Sequence, residues 1–152
     1  SEDDIRAALR NPLVSICTDS GAKAEDGILA QEKSHPRAWA TAPRILGEYV
    51  REQKLLSLEE AVRKMTSLPA SRMGLPDRGL LRPGLAADIV VFDPAAVGAR
   101  STYADPNRYS QGIAFVAVNG QLVVDGGRIT EARPGRPLLG PGYKPQSTFS
   151  AR

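Results

Sequence analysis

Leu13-Val14-Ser15-Ile16-Cys17-Thr18-Asp19-Ser20-Gly21 is the stretch on which the fold turns. Small and β-branched residues, bounded by Asn11-Pro12 before and Ser20-Gly21 after, read as a short strand buried on both faces, as in a parallel sheet. In barrels and open α/β sheets, reactive groups gather at the C-terminal ends of strands, where loops vary without disturbing the core. Asp19 stands at such an end. Its carboxylate can serve chemistry or merely cap the turn that follows, and the stretch alone leaves both open. Cys17, inside the run, reads as a small buried hydrophobe.

On the N-terminal side, Ser1 followed by Glu2, Asp3 and Asp4 predicts a capped helix with acids in its first turn, ended by Asn11-Pro12. Beyond Asp19, the loop from Ser20 to Lys33 is longer than most connections. Ile45, Leu46, Tyr49 and Val50 mark the apolar face of a helix from about Arg37 to Gln53, which Pro43 should kink or break. Ser57-Leu58-Glu59-Glu60 is a capping box, and a short helix spans Pro69 to Met73, stopping at Gly74. Past Leu75 the texture turns to β. Ile89–Phe92 is a strand, and Ile113–Val118 with Gln121–Val124 flank Asn119-Gly120, a strong hairpin signal. The expected divisions are residues 1–76, 77–132 and an extended Pro/Gly-rich tail over 133–152.

Among 152 residues, 41% are hydrophobic and 24% charged, the usage of a folded domain rather than a disordered chain. The net charge of +3 comes from basic residues scattered along the chain, which argues against nucleic acid as a partner. No apolar run has the length of a membrane span, so no membrane partner is expected. One cysteine excludes an internal disulfide framework and fits a reducing, cytoplasmic setting. The chain starts at Ser1 already on a helical pattern, so a piece of a longer protein is expected.

Several motifs carry a resemblance. These are Asp19 at the strand end, Ser34-His35-Pro36-Arg37, Met65-Thr66-Ser67-Leu68-Pro69-Ala70 with Gly74, Arg82-Pro83-Gly84-Leu85-Ala86-Ala87-Asp88-Ile89-Val90-Val91-Phe92-Asp93, and Val118-Asn119-Gly120 leading to Gly127. Together they resemble the C-terminal third of an amidohydrolase-superfamily enzyme. Within it the chain is similar to the N-acyl-D-amino-acid deacylase, or D-aminoacylase, family. The resemblance implies an α/β fold: the C-terminal fragment of a metal-dependent (β/α)8 barrel, with residues 13–18 as its last strand, plus part of a small β-sandwich domain. Its partner would be the missing N-terminal barrel portion of the same enzyme.

The resemblance also implies a chemistry, hydrolysis of the amide of a small-molecule N-acyl-D-amino acid. A divalent metal, typically zinc, activates water in that family. Asp19 matches the strand-end aspartate that moves the proton and that can also touch a metal. Arg37 matches the substrate-binding residue, since a planar guanidinium grips a carboxylate bidentately. His35 is the only histidine, so it shapes its loop rather than building a zinc site, and the other ligands would lie outside this chain. The chain alone is therefore expected to bind metal poorly and to be inactive. Asp88 reads as a turn-bonding structural residue, and Trp39 and Tyr49 as packing aromatics. Two alternatives stay open: a cyclic-amide hydrolase of the dihydroorotase or hydantoinase kind, which would not need Arg37, and a non-enzymatic β-rich interaction module.

Overall fold

A computed structural model describes residues 1–31, 33–140 and 142–143. Helices fill the first half and one antiparallel sheet the second, an α/β chain. Helix α1 spans Glu2–Arg10; the Ser1 hydroxyl accepts from the Asp4 amide while the Asp4 carboxylate reaches back to the cap, so the predicted start is fully capped. Helix α2 spans Arg37–Arg44 and passes directly into a π-helix, Ile45–Glu52. Pro43 does not break this run as expected. Lacking an N–H, it removes one bond of the α ladder, and the chain continues in the wider register, with the Gln53 amide donating five residues back to Glu48 O at 2.8 Å. Helix α3 is Leu58–Met65 and α4 is Ser67–Arg72. Only half of the second capping box forms. Ser57 Oγ accepts from the Glu60 amide at 3.2 Å, but the Glu60 carboxylate turns to Arg63, at 2.7 and 2.8 Å.

Strands β1 (Ile89–Phe92), β2 (Ile113–Val118), β3 (Gln121–Asp125) and β4 (Arg128–Ile129) pair in chain order, all antiparallel. Asn119 and Gly120 both take positive φ, 48° and 80°, the twist-matched turn that Asn-Gly promises. Asp88 fixes this hairpin: its Oδ1 accepts from the Asn119 amide at 2.7 Å and its Oδ2 pairs with Arg78, whose Nη2 donates to Asn119 Oδ1 at 2.8 Å. The Asn119 amide is the main reason the Asp88 carboxyl lies below its ordinary range. Asn119 Nδ2 then donates to Pro134 O at 2.8 Å, tying down the start of the tail. Residues 133–140 are irregular, and the expected tail from 144 to 152 lies outside the described residues.

The core is small. Leu9, Ile45, Leu46, Tyr49, Ala61 and Val97 are buried together, so the helices meet the loop that follows β1. Gly112 permits that loop's close approach: at φ 77°, a Cβ there would lie 2.4 Å from the Val97 nitrogen. Among the described residues no helix is long and apolar enough to cross a membrane.

The strand predicted over residues 13–18 does not form. The segment pairs with no strand among the described residues, and Cys17, expected to be buried, is exposed. A strand exists through its ladders, and without a neighbour on either side this segment keeps none. It is held instead from α3. Lys64, fully buried, donates from Nζ to the carbonyls of Asn11 and, at 2.9 Å, Val14; the Ile16 amide donates to Lys64 O at 3.1 Å.

Candidate active site

Asp19 follows directly on this pinned segment, at a positive φ of 49° that aspartate tolerates better than most residues. Its amide donates to Cys17 Sγ at 3.4 Å. Arg37 is the first residue of α2. The structure brings these two predicted residues together: Arg37 Nη2 lies 3.0 Å from Asp19 Oδ2, with side chains 50% and 81% exposed. An ion pair so open to solvent adds little stability, which leaves both groups free to exchange partners.

His35 joins them. The Arg37 amide donates to His35 Nδ1 at 3.1 Å, and His35 Nε2 lies 3.2 Å from the Tyr103 hydroxyl. Behind Arg37 opens a cavity of about 440 Å³, lined by His35, Arg37, Arg44, Tyr49, Ser101 and Tyr103 among others. Its floor is ordered by charge. Tyr49 Oη donates to Glu2 at 2.6 Å, and Arg44 pairs with Glu48 at 2.6 Å while lying over the Tyr49 ring. Burial, reinforced by the Glu2 carboxylate, pushes the Tyr49 phenol up to about 12.

The long loop before His35 is clamped by the loop between β1 and β2. The Tyr109 amide donates to the Glu25 carboxylate, the Glu25 amide donates to Tyr109 Oη at 3.3 Å, and Asn107 Nδ2 donates to Ala30 O at 3.3 Å. Trp39 packs edge-on against Tyr109 and donates to Ser34 Oγ at 2.6 Å, a loop-packing aromatic as expected. Sequence reasoning missed Lys64, Tyr103, Asn107 and Tyr109. Their partners are far away in the chain, and no local pattern announces them.

The amidohydrolase family model matches residues 20–124. The chain belongs to the amidohydrolase family. Two curated relatives from Alcaligenes xylosoxydans xylosoxydans are similar: an N-acyl-D-aspartate deacylase, 45% identical over 91% of this chain and 26% of its own length, and a D-aminoacylase, 47% identical over 74% of this chain and 23% of its own. Among solved structures, an N-acyl-D-glutamate deacylase from Bordetella bronchiseptica, complexed with zinc and a phosphonate inhibitor, matches with a TM-score of 0.72 and 42% identity. That match covers 81% of this chain and 24% of the solved one. This amidohydrolase chain thus spans about a quarter of the curated relatives it matches.

No three His, Cys, Asp or Glu side chains converge to hold a metal ion among the described residues. Asp19 ends a segment that forms no strand, and its carboxylate pairs with the Arg37 guanidinium. The described residues do not make a metal site by themselves.

Proposed function

We propose that this chain is the C-terminal part of a metal-dependent enzyme that hydrolyses N-acyl-D-amino acids to a carboxylate and a free D-amino acid. The 3.0 Å contact between Asp19 and Arg37 carries the reading. In an N-acyl amino acid, the carboxylate and the amide nitrogen share one carbon. A guanidinium that grips that carboxylate while touching Asp19 therefore sets the scissile amide beside the Asp19 carboxylate. Asp19 takes a proton from the attacking water and returns it to the amine as the carbon–nitrogen bond breaks. Arg37 holds the carboxylate in two parallel hydrogen bonds and fixes the D-substrate's orientation.

Further support comes from relatives and a solved structure whose names specify N-acyl-D-amino-acid deacylation, one of them complexed with zinc. A divalent metal, with zinc the specific choice, then belongs to the full-length protein and draws its other ligands from residues outside this chain. On the same reading, residues 13–18 complete a (β/α)8 barrel and the sheet is part of a β-sandwich domain.

The test is steady-state kinetics of the full-length protein on N-acyl-D-amino acids and, in parallel, hydantoins. Asp19→Asn should lower kcat by about 10²–10⁴-fold with the fold retained. Arg37→Ala should raise KM by roughly 10–100-fold, the worth of a charge-assisted pair. Unchanged kinetics for Arg37→Ala would remove its assignment, and hydantoin turnover without deacylation would replace the substrate class.

A further inference from the structure

We infer that His35 is a positioning residue for Arg37, held in one tautomer by Tyr103. The inference rests on the reading of Arg37 as the carboxylate-binding group and goes beyond it to what sets that group in place. Pro36 occupies the cap position of α2 and has no polar side chain with which to cap. The first helical amide, which belongs to Arg37, would be left without a partner. It donates instead to His35 Nδ1 at 3.1 Å.

A ring nitrogen that accepts carries no proton, so the proton of the neutral imidazole sits on Nε2. Nε2 lies 3.2 Å from Tyr103 Oη, and the two rings meet edge to face at 5.2 Å. Nε2–H donates and the phenol oxygen accepts. The backbone of His35 is fixed as well, its carbonyl accepting from the Ala38 amide at 3.0 Å. Both ring nitrogens and the carbonyl are therefore committed, one of them to a residue of the β1–β2 loop. The next amides of α2 go to backbone, Ala38 N to His35 O and Trp39 N to Pro36 O, each at 3.0 Å, whereas the Arg37 amide goes to a side chain, and from that residue the guanidinium reaches Asp19. Loss of the Nδ1 bond leaves the Arg37 amide without its partner and loosens the residue that starts the helix, so the guanidinium is held less well and the grip on a carboxylate weakens without touching proton transfer at Asp19.

The experiment is the kinetics of the full-length protein on an N-acyl-D-amino acid, with His35→Ala, His35→Asn, Tyr103→Phe and Arg37→Ala measured side by side and thermal midpoints recorded for each. His35→Ala should raise KM about 5–20-fold, with kcat within roughly twofold and the midpoint within about 2 °C. His35→Asn places an amide oxygen where Nδ1 was and should return KM to within about threefold of the parent. Tyr103→Phe should raise KM by a smaller factor than His35→Ala. A His35→Ala enzyme with parental KM, or one that Asn does not rescue, overturns the inference while Arg37→Ala still raises KM. A parental KM for Arg37→Ala overturns the underlying reading instead, so the two failures are told apart.

Discussion

Lys64 bears on the site without touching it. Desolvation pushes its ammonium below the ordinary lysine range, with Glu60 at 3.8 Å opposing that shift, and its hydrogens go to the backbone of the segment that leads into Asp19. In sequence it is one more basic residue in the last turn of a helix, a position that helix electrostatics already explain. Asp19 and Arg37 were legible because each sits at a boundary, the end of an apolar run and the start of a helix. Lys64 was not, because its partners, Asn11 and Val14, are about fifty residues away and are carbonyls, which leave no mark on the side-chain pattern. Lys64→Met keeps most of the apolar stem and leaves both carbonyls without that donor. We expect a loss of about 2–4 kcal/mol in urea unfolding of the full-length protein, together with a fall in kcat as Asp19 loses its footing. A variant with parental stability would show that the segment is held elsewhere.

Strands β1 and β2 form where their composition predicts and find each other as partners, whereas the segment over 13–18 finds none among the described residues. Asn119-Gly120 specified its hairpin because the turn needs positive φ at both positions. The same signal stands at Gly126-Gly127, with φ 54° and 78°, and marks the short strand β4 that the reading of the sequence passed over. Ser57 capped α3 as its pattern required, whereas Glu60 had a better partner in Arg63 than in the cap. The segment over 13–18 has strand composition but no ladder, since composition cannot supply a second chain segment. Of the described glycines, Gly112, just before β2, leaves the least room for a side chain: a Cβ there would lie 2.4 Å from Val97 N and 2.5 Å from its Cα. Gly112→Ala therefore meets backbone that cannot move aside and should cost about 3 kcal/mol or more. Gly120→Ala, at a similar φ but 4.0 Å from its nearest neighbour, should cost only about 1–2 kcal/mol of backbone strain. Urea midpoints of the two variants check the difference, and equal losses would mean that φ rather than contact sets the cost.

At the scale of the molecule, the apolar surface is distributed in a way that a self-sufficient domain avoids. Val90, Val91, Phe115, Leu122 and Ile129 on the sheet are all more than a third exposed, and Leu13 in the unpaired segment is 69% exposed. Val90 and Val91, consecutive in β1, lie on opposite faces, so apolar side chains are exposed on both faces of the sheet, and surface of that kind is a place for other parts of a protein to cover. The chain spans about a quarter of its curated relatives, and on the proposed reading the rest of the protein covers these faces and supplies the metal ligands. Two measurements on the isolated 152-residue chain follow from this. With no three donor side chains converging among the described residues, it should hold well under one zinc per chain after dialysis and show no deacylase turnover, because on the proposed reading the donor set and the rest of the cavity lie elsewhere in the full-length protein. It should also bind a hydrophobic dye and self-associate as concentration rises, whereas the full-length protein should do neither, since its sheet faces are occupied. A monomeric, dye-silent chain carrying stoichiometric zinc and turning over an acyl-D-amino acid would overturn both expectations. It would mean that residues 1–152 build a complete site in an arrangement other than the one in which Asp19 stands beside Arg37.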